Sequence, residues 1–192
     1  LDEKQRQKML VAHRLFADTS NHAYLSDVST ITMGQSPSSS TYNTMHVGLP
    51  LIQGNADIEE RVPCPRMYTS APSKTCKVDD ILLSVRAPVG TVARSNMEAC
   101  IGRGICAISS SHLQDYLYEY LLFFENKWGR VSQGSTFESI SGDDISRLKI
   151  PLVENPEKVS RVLMTAEQGI FLLRKQLKYL KHQKKALMQL LL

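Results

Sequence analysis

No Cys-x-x-Cys pair occurs in this 192-residue chain, although it holds four cysteines, Cys64, Cys76, Cys100 and Cys106. The missing spacing argues against a zinc ribbon. The strand-like apolar residues beside the thiols argue for buried or half-buried free cysteines, the pattern of a cytosolic protein rather than a disulfide framework. Long apolar runs are missing as well, and none approaches the ~18 residues of a membrane span, so a soluble chain is expected. The chain opens at Leu1 on the polar stretch Asp2 to Lys8. An apolar leader core is therefore lacking and secretion is not indicated, while the absence of an initiator Met leaves the natural start open. Gly102-Arg103-Gly104 lacks both the third glycine and the following helix of a dinucleotide fingerprint. No Gly-x-x-x-x-Gly-Lys-Ser/Thr phosphate loop is present.

Charge is ordinary in amount and uneven in place. The net charge is +4, with 23 Lys/Arg against 19 Asp/Glu. Residues 157–192 hold 8 of those cations against 2 acids, so residues 1–156 keep 15 against 17 and are slightly acidic. Whole-body charge alone does not suggest nucleic acid. Locally, however, Arg61, Arg66, Lys74, Lys77, Arg86, Arg94 and Arg103 outnumber Asp79, Asp80 and Glu98, a basic surface suited to phosphates.

The length suits one domain of about 150 residues with an extension. Residues 3–16 read as a short helix with Met9, Leu10, His13 and Phe16 on one side, and 24–32 alternates as a strand. Residues 34–43, with Pro37 and three serines from Ser38, have loop composition. Leu49 to Gln53 reads as a strand ending at the turn pair Gly54-Asn55. Ile81 to Val85 and Thr91 to Arg94 read as strands joined by the Arg86-Ala87-Pro88-Val89-Gly90 turn. Ile101 to Ile108 is a strand broken at Gly102 and Gly104, where paired glycines admit a bulge or a close backbone approach.

From Ser111 as N-cap, Leu113, Leu117, Leu121, Phe124 and Trp128 recur at helical spacing, with Gly129 as terminator and the aromatics assigned to the core. Ser141 and Asp144 form a capping-box signature, which accounts for the adjacent Asp143 and Asp144 without a metal.

The terminal helix is signalled by Asn155 as cap and Pro156 at the first position. Its heptads place Leu163, Ile170, Leu177 and Leu191 at one seam position and Ala166, Leu173, Leu180 and Leu187 at the other, with Lys184 as the single charged seam residue. At ~1.5 Å per residue such a helix reaches about 50 Å, too long to fold back fully onto so small a body. The expected architecture is α+β: a strand-rich recognition body over residues 1–154, then a helical spacer and dimerisation helix over 155–192. Two helices with positive C-terminal halves would repel if laid parallel, which favours antiparallel pairing. A folded body mounted on a rod points to a recognition module rather than a self-contained enzyme.

Four ordered stretches carry a resemblance: Gly48-Leu49-Pro50-Leu51-Ile52-Gln53-Gly54-Asn55-Ala56-Asp57, Asp80 to Gly90, Ile101-Gly102-Arg103-Gly104, and the junction from Gly134-Ser135-Thr136-Phe137 to Pro151. Together they span most of a chain that resembles one target recognition domain plus one helical spacer from the DNA specificity subunit of type I restriction-modification systems. Val153-Glu154-Asn155-Pro156 departs from the family's Pro-rich, Glu-Gln-containing start of the spacer.

The resemblance implies a non-catalytic subunit that reads half of a bipartite duplex target, as a half-size subunit or a piece of a longer chain. It implies double-stranded DNA, modification subunits and a restriction subunit as partners, with S-adenosylmethionine, ATP and Mg bound by those subunits and no cofactor here. No methyltransferase-like acidic-Pro-Pro-aromatic tetrapeptide or nuclease carboxylate-lysine cluster is evident.

Base reading needs planar donors and acceptors on short supports, which nominates Gln35, Gln53, Asn55, Arg86, Arg103 and Gln133. Ser36, Tyr42, Lys74, Ser135 and Thr136 suit phosphate contacts. Because the family stretches cover several of these, they also suit shared scaffold, with specificity in 36–45 and 59–75. Two other readings remain: a coiled-coil scaffold using the Met67-Tyr68 region as a protein contact, and the recognition end of a fused methyltransferase or restriction enzyme.

Overall fold

The computed structural model describes residues 2–17, 20–128 and 139–190. Helix α1 (Asp2–Ala17) leads into β1 (His22–Tyr24), the helical turn α2 (Leu25–Val28) and β2 (Thr30–Met33). The single strand expected over 24–32 is thus interrupted. Asp27 accepts the Tyr24 N–H at 3.2 Å and the Ser29 hydroxyl donates to the Leu25 carbonyl at 2.6 Å. These local side-chain bonds favour a helical turn inside an alternating pattern. The inward side of α1 matches the expected one only at Phe16. Ala12 and Phe16 are buried while Met9, Leu10 and Val11 are exposed.

The following strands are short: β3 (Tyr42–Asn43), β4 (Leu49–Ile52), β5 (Ile58–Glu59), β6 (Val62–Pro63), β7 (Met67–Thr69), β8 (Thr75–Cys76), β9 (Ile81–Ser84), β10 (Val92–Arg94), β11 (Ala99–Ile101) and β12 (Ile105–Ser109). Helix α3 (Gln114–Phe124), the short α4 (Gly142–Ser146), β13 (Lys149–Pro151) and the long α5 (Pro156–Leu190) complete the described chain. Sheet β10-β9-β12-β2 is antiparallel throughout, and sheet β3-β7-β4-β11-β8 contains one parallel pair, β4 with β11.

The first sheet is the middle layer. Ile81, Leu83, Val92, Cys106 and Ile108 belong to the core shared with the helices, whereas Leu82, Ala93, Ile105 and Ala107 belong to the core shared with Ile52 and Ile101 of the second sheet. Side chains alternate faces along a strand, so burying both faces requires these near-continuous apolar runs. Cys76, Cys100 and Cys106 are buried, as expected, and Cys64 is exposed.

On the helical side, Tyr116 and Tyr120 of α3 donate to the carbonyls of Pro151 and Lys149 at 2.6 and 3.0 Å. Trp128 is fully buried, consistent with a core role for the aromatics. The capping box is found: Asp144 donates its N–H to the Ser141 hydroxyl at 3.2 Å and accepts the Ser141 N–H at 3.0 Å.

Asn155 caps α5 by accepting the Lys158 N–H at 2.9 Å. The helix runs 35 residues, about 52 Å at 1.5 Å per residue. Its start belongs to the body. Val159 and Leu163 sit in the main core and Ile170 is buried, whereas residues 171–189 are all exposed. This corrects the expected seam: Leu163 and Ile170 are covered by their own body, Ala166 is half-buried, Leu173 is exposed at the edge of a groove it lines with α1, and Leu177, Leu180, Lys184 and Leu187 are exposed. Leu191 lies outside the described residues.

Candidate nucleic-acid interface

Strands β4 and β11 lie parallel with Cys100 beside Leu51 and Ile101 beside Ile52, so Gln53 and Gly102 leave the same end of the sheet. The two segments touch backbone to backbone. Gly102 donates its N–H to the Ile52 carbonyl at 2.8 Å, and a Cβ on Gly104 would lie 2.3 Å from the Gln53 carbonyl oxygen. A third segment closes on them, with Gly34 donating to the Ile105 carbonyl and Gln35 to the Ile101 carbonyl, each at 2.9 Å. A Cβ on Gly34 would meet the Gly102 oxygen at 2.2 Å. Missing side chains at these glycines let three backbones converge at one sheet end.

Other candidates are tied to the same turn. Ser36 accepts the Arg103 N–H at 3.3 Å, the Ser73 hydroxyl donates to the Gln35 carbonyl, and Ile101 donates to the Lys74 carbonyl at 2.8 Å. Val85 donates to the Gly104 carbonyl at 2.9 Å, which brings in the neighbouring Arg86. Gln35, Gln53, Lys74, Arg86 and Arg103 are exposed around this turn, and Ser36 is half-buried beneath Arg103. The end of β4 is held from below by Asp57, which accepts the Gln53 N–H at 2.8 Å and pairs with Arg66 at 3.2 Å.

Asp57, Gly34 and Ser73 were not singled out by sequence reasoning. For Asp57 the signal was available in the turn composition of Gly54-Asn55-Ala56-Asp57, whereas the contacts of Gly34 and Ser73 arise only in the folded chain.

Two candidates stand apart from the turn. The Tyr42 hydroxyl donates to the Pro37 carbonyl at 3.3 Å and braces its own loop. Asn55 lines a cleft of about 830 Å³ between the β5–β6 hairpin and α5. Gln133, Ser135 and Thr136 lie outside the described residues.

In that cleft Arg61 pairs with Glu125 through both terminal guanidinium nitrogens, the Nη2 to Oε2 distance being 2.8 Å, and donates to the Val92 carbonyl at 3.0 Å. The hydrogen bond to Glu125 holds the Arg61 pKa above its ordinary value despite opposing burial. Glu60 and Arg61 occupy the left-handed region, with φ 46 and 70, so the hairpin tip is strained and held by these contacts.

A family model described as the type I restriction modification DNA specificity domain matches residues 20–182. The chain belongs to that family. A curated relative of this specificity domain, the putative type I restriction enzyme MjaX specificity subunit of Methanocaldococcus jannaschii, is 36% identical over 167 residues, 84% of this chain and 39% of the relative. The HsdS subunit of Thermoanaerobacter tengcongensis is 31% identical with a TM-score of 0.79, covering 91% of this chain and 46% of that one. A chain from a structure of type I R-M complex assembly is 30% identical with a TM-score of 0.82, covering 97% and 50%.

The specificity domain thus spans half or less of the length of these three relatives. Its α+β body and long terminal helix follow the HsdS fold. No helix among the described residues is long and apolar enough to cross a membrane.

Proposed function

We propose that this specificity domain reads one half of a bipartite duplex sequence for a cytoplasmic type I restriction-modification complex. It supplies affinity and sequence choice without catalysis. Modification subunits docked on the helices transfer the methyl group from S-adenosylmethionine to adenine, and a restriction subunit using ATP and Mg cleaves. The observation that supports this reading is the convergence of Gln35, Gln53, Arg86 and Arg103 on the Gly102–Gly104 turn.

Arg pairs with guanine and Gln with adenine through two hydrogen bonds, each pairing discriminating by about 1–3 kcal/mol. Lys74 and Ser36 suit phosphate and register contacts. The exposed Leu173, Leu177, Leu180 and Leu187 support an antiparallel homodimer, which restores two readers a fixed distance apart.

Duplex binding across a salt series tests the reading, since a DNA reader loses affinity steeply as salt rises. Binding that is absent, or flat with salt, would leave a coiled-coil protein scaffold as the better account.

A further inference from the structure

After Glu167 the chain contains no acidic residue, but it carries Arg174, Lys175, Lys178, Lys181, Lys184 and Lys185. None of these makes an ion pair among the described residues. Arg174, Lys178, Lys181 and Lys185 recur at intervals of four, three and four, the spacing of one helix face, and they line a single groove along α5. Arg174 and Lys178 also line the cleft beneath the β5–β6 hairpin, together with Asn55 and Arg61. Glu60, Glu125 and Glu167 line that cleft as well, so the uninterrupted basic row is the one on the rod, from Arg174 to Lys185.

We infer that this stripe is a sequence-independent phosphate track for the DNA that lies between the two half-sites. The inference rests on the duplex-reading function proposed above and adds a second contact surface to it. Protein interfaces are depleted in Lys, and no acid interrupts this row to pair with a charged partner. Backbone contacts to DNA, by contrast, rely on Lys and Arg point charges. From Arg174 to Lys185 the stripe covers about 16 Å of rod, the length of roughly five phosphates of one strand at 3.4 Å each.

Position on the helix adds a second argument. At 3.6 residues per turn the stripe lies about a quarter-turn from the Leu173–Leu177–Leu180 seam, so a partner helix covering the seam, Leu177 at the groove's edge included, leaves the outward side of the basic row open. In an antiparallel pair the two-fold axis is perpendicular to the plane of the helices. That rotation keeps each face a face, and both stripes look the same way, as one duplex spanning two readers requires. The body, with its excess of acids, gains its long-range attraction for DNA from this rod.

The test is the salt dependence of duplex binding by the full chain carrying Lys178→Gln, Lys181→Gln and Lys185→Gln, beside the wild type and a Lys158→Gln control on the same helix. Helicity of the triple variant is checked by circular dichroism. The slope of log affinity against log salt should shrink by about 2–3, near 0.9 for each lost phosphate contact, while the ratio of preferred to scrambled duplex stays constant. The control should keep the wild-type slope.

A wild-type slope in the triple variant overturns the track, and so does loss of self-association or of modification-subunit binding with the slope unchanged, which marks a protein surface. Failure of the wild type to bind any duplex is a different result. It removes the reading function itself and the track with it.

Discussion

The Arg103 backbone N–H donates to the Ser36 hydroxyl at 3.3 Å, joining residues 67 positions apart in the sequence. This bond fixes the turn that carries Arg103, leaving the guanidinium in solvent. Truncating the exposed side chain in Arg103→Ala should leave the melting temperature within about a degree and lower discrimination at one base position by about 1–3 kcal/mol. A competition titration with single-base-pair variants of the preferred duplex measures it.

Gly104→Ala should act through the backbone instead. Its Cβ would lie 2.3 Å from the Gln53 carbonyl oxygen, which cannot swing away as a flexible side chain can. A loss of about 1–3 kcal/mol is expected in urea unfolding, with weaker duplex binding at every sequence. Unchanged stability would show that the β4 and β11 ends are not held as described.

Lys8 of α1 bridges Glu119 of α3 and Glu167 of α5, each at 2.9 Å, and the Glu119 side chain is only 1% exposed. Lys8→Met strands a buried carboxylate and should cost about 3–5 kcal/mol, with most of it recovered by adding Glu119→Leu. Burial raises the Glu119 pKa, and Lys8 opposes that only in part. A carboxyl raised by folding stabilises most fully below the unfolded value of ~4.3 and loses that contribution as pH rises through its folded value. Glu119→Gln should therefore flatten the pH dependence of the melting temperature in that window.

Thiol accessibility should separate one cysteine from three. Cys64 is exposed, while burial pushes Cys106 up to about 12 and raises Cys76. A maleimide reagent at neutral pH should label Cys64 alone in the native chain and all four in denaturant, as counted by mass spectrometry.

Leu177 and Leu180 are 40% and 52% exposed on the rod. If the rod pairs as proposed, Leu177→Asp with Leu180→Asp should give a monomer in sedimentation velocity where the wild type gives a dimer, without shifting the unfolding of the body. A wild-type chain that sediments as a monomer would refute antiparallel pairing.

Much of this was legible in the sequence because its signals are local. Asn155-Pro156 marks the start of α5, Ser141 with Asp144 marks α4, and the glycines beside Arg103 mark the turn between β11 and β12. What escaped depends on tertiary context. Alternation over 24–32 does not reveal that Leu25 is buried while Asp27 closes a helical turn. Heptad spacing cannot say which turns are covered by the chain's own body, so Leu163 and Ile170 read like Leu177 although they face the core. Asn55 and Gln53 are neighbours in sequence, yet only the fold turns one toward the cleft beside α5 and leaves the other at the sheet end.

Selection of bound duplexes from a random pool, with full-length chain and modification subunit together, tests the paired-reader account most directly. Two copies of one reader predict an enriched motif made of two identical blocks in inverted orientation, separated by a spacer of constant length. A pool without any enriched motif, or with a single block lacking its inverted twin, would contradict the account.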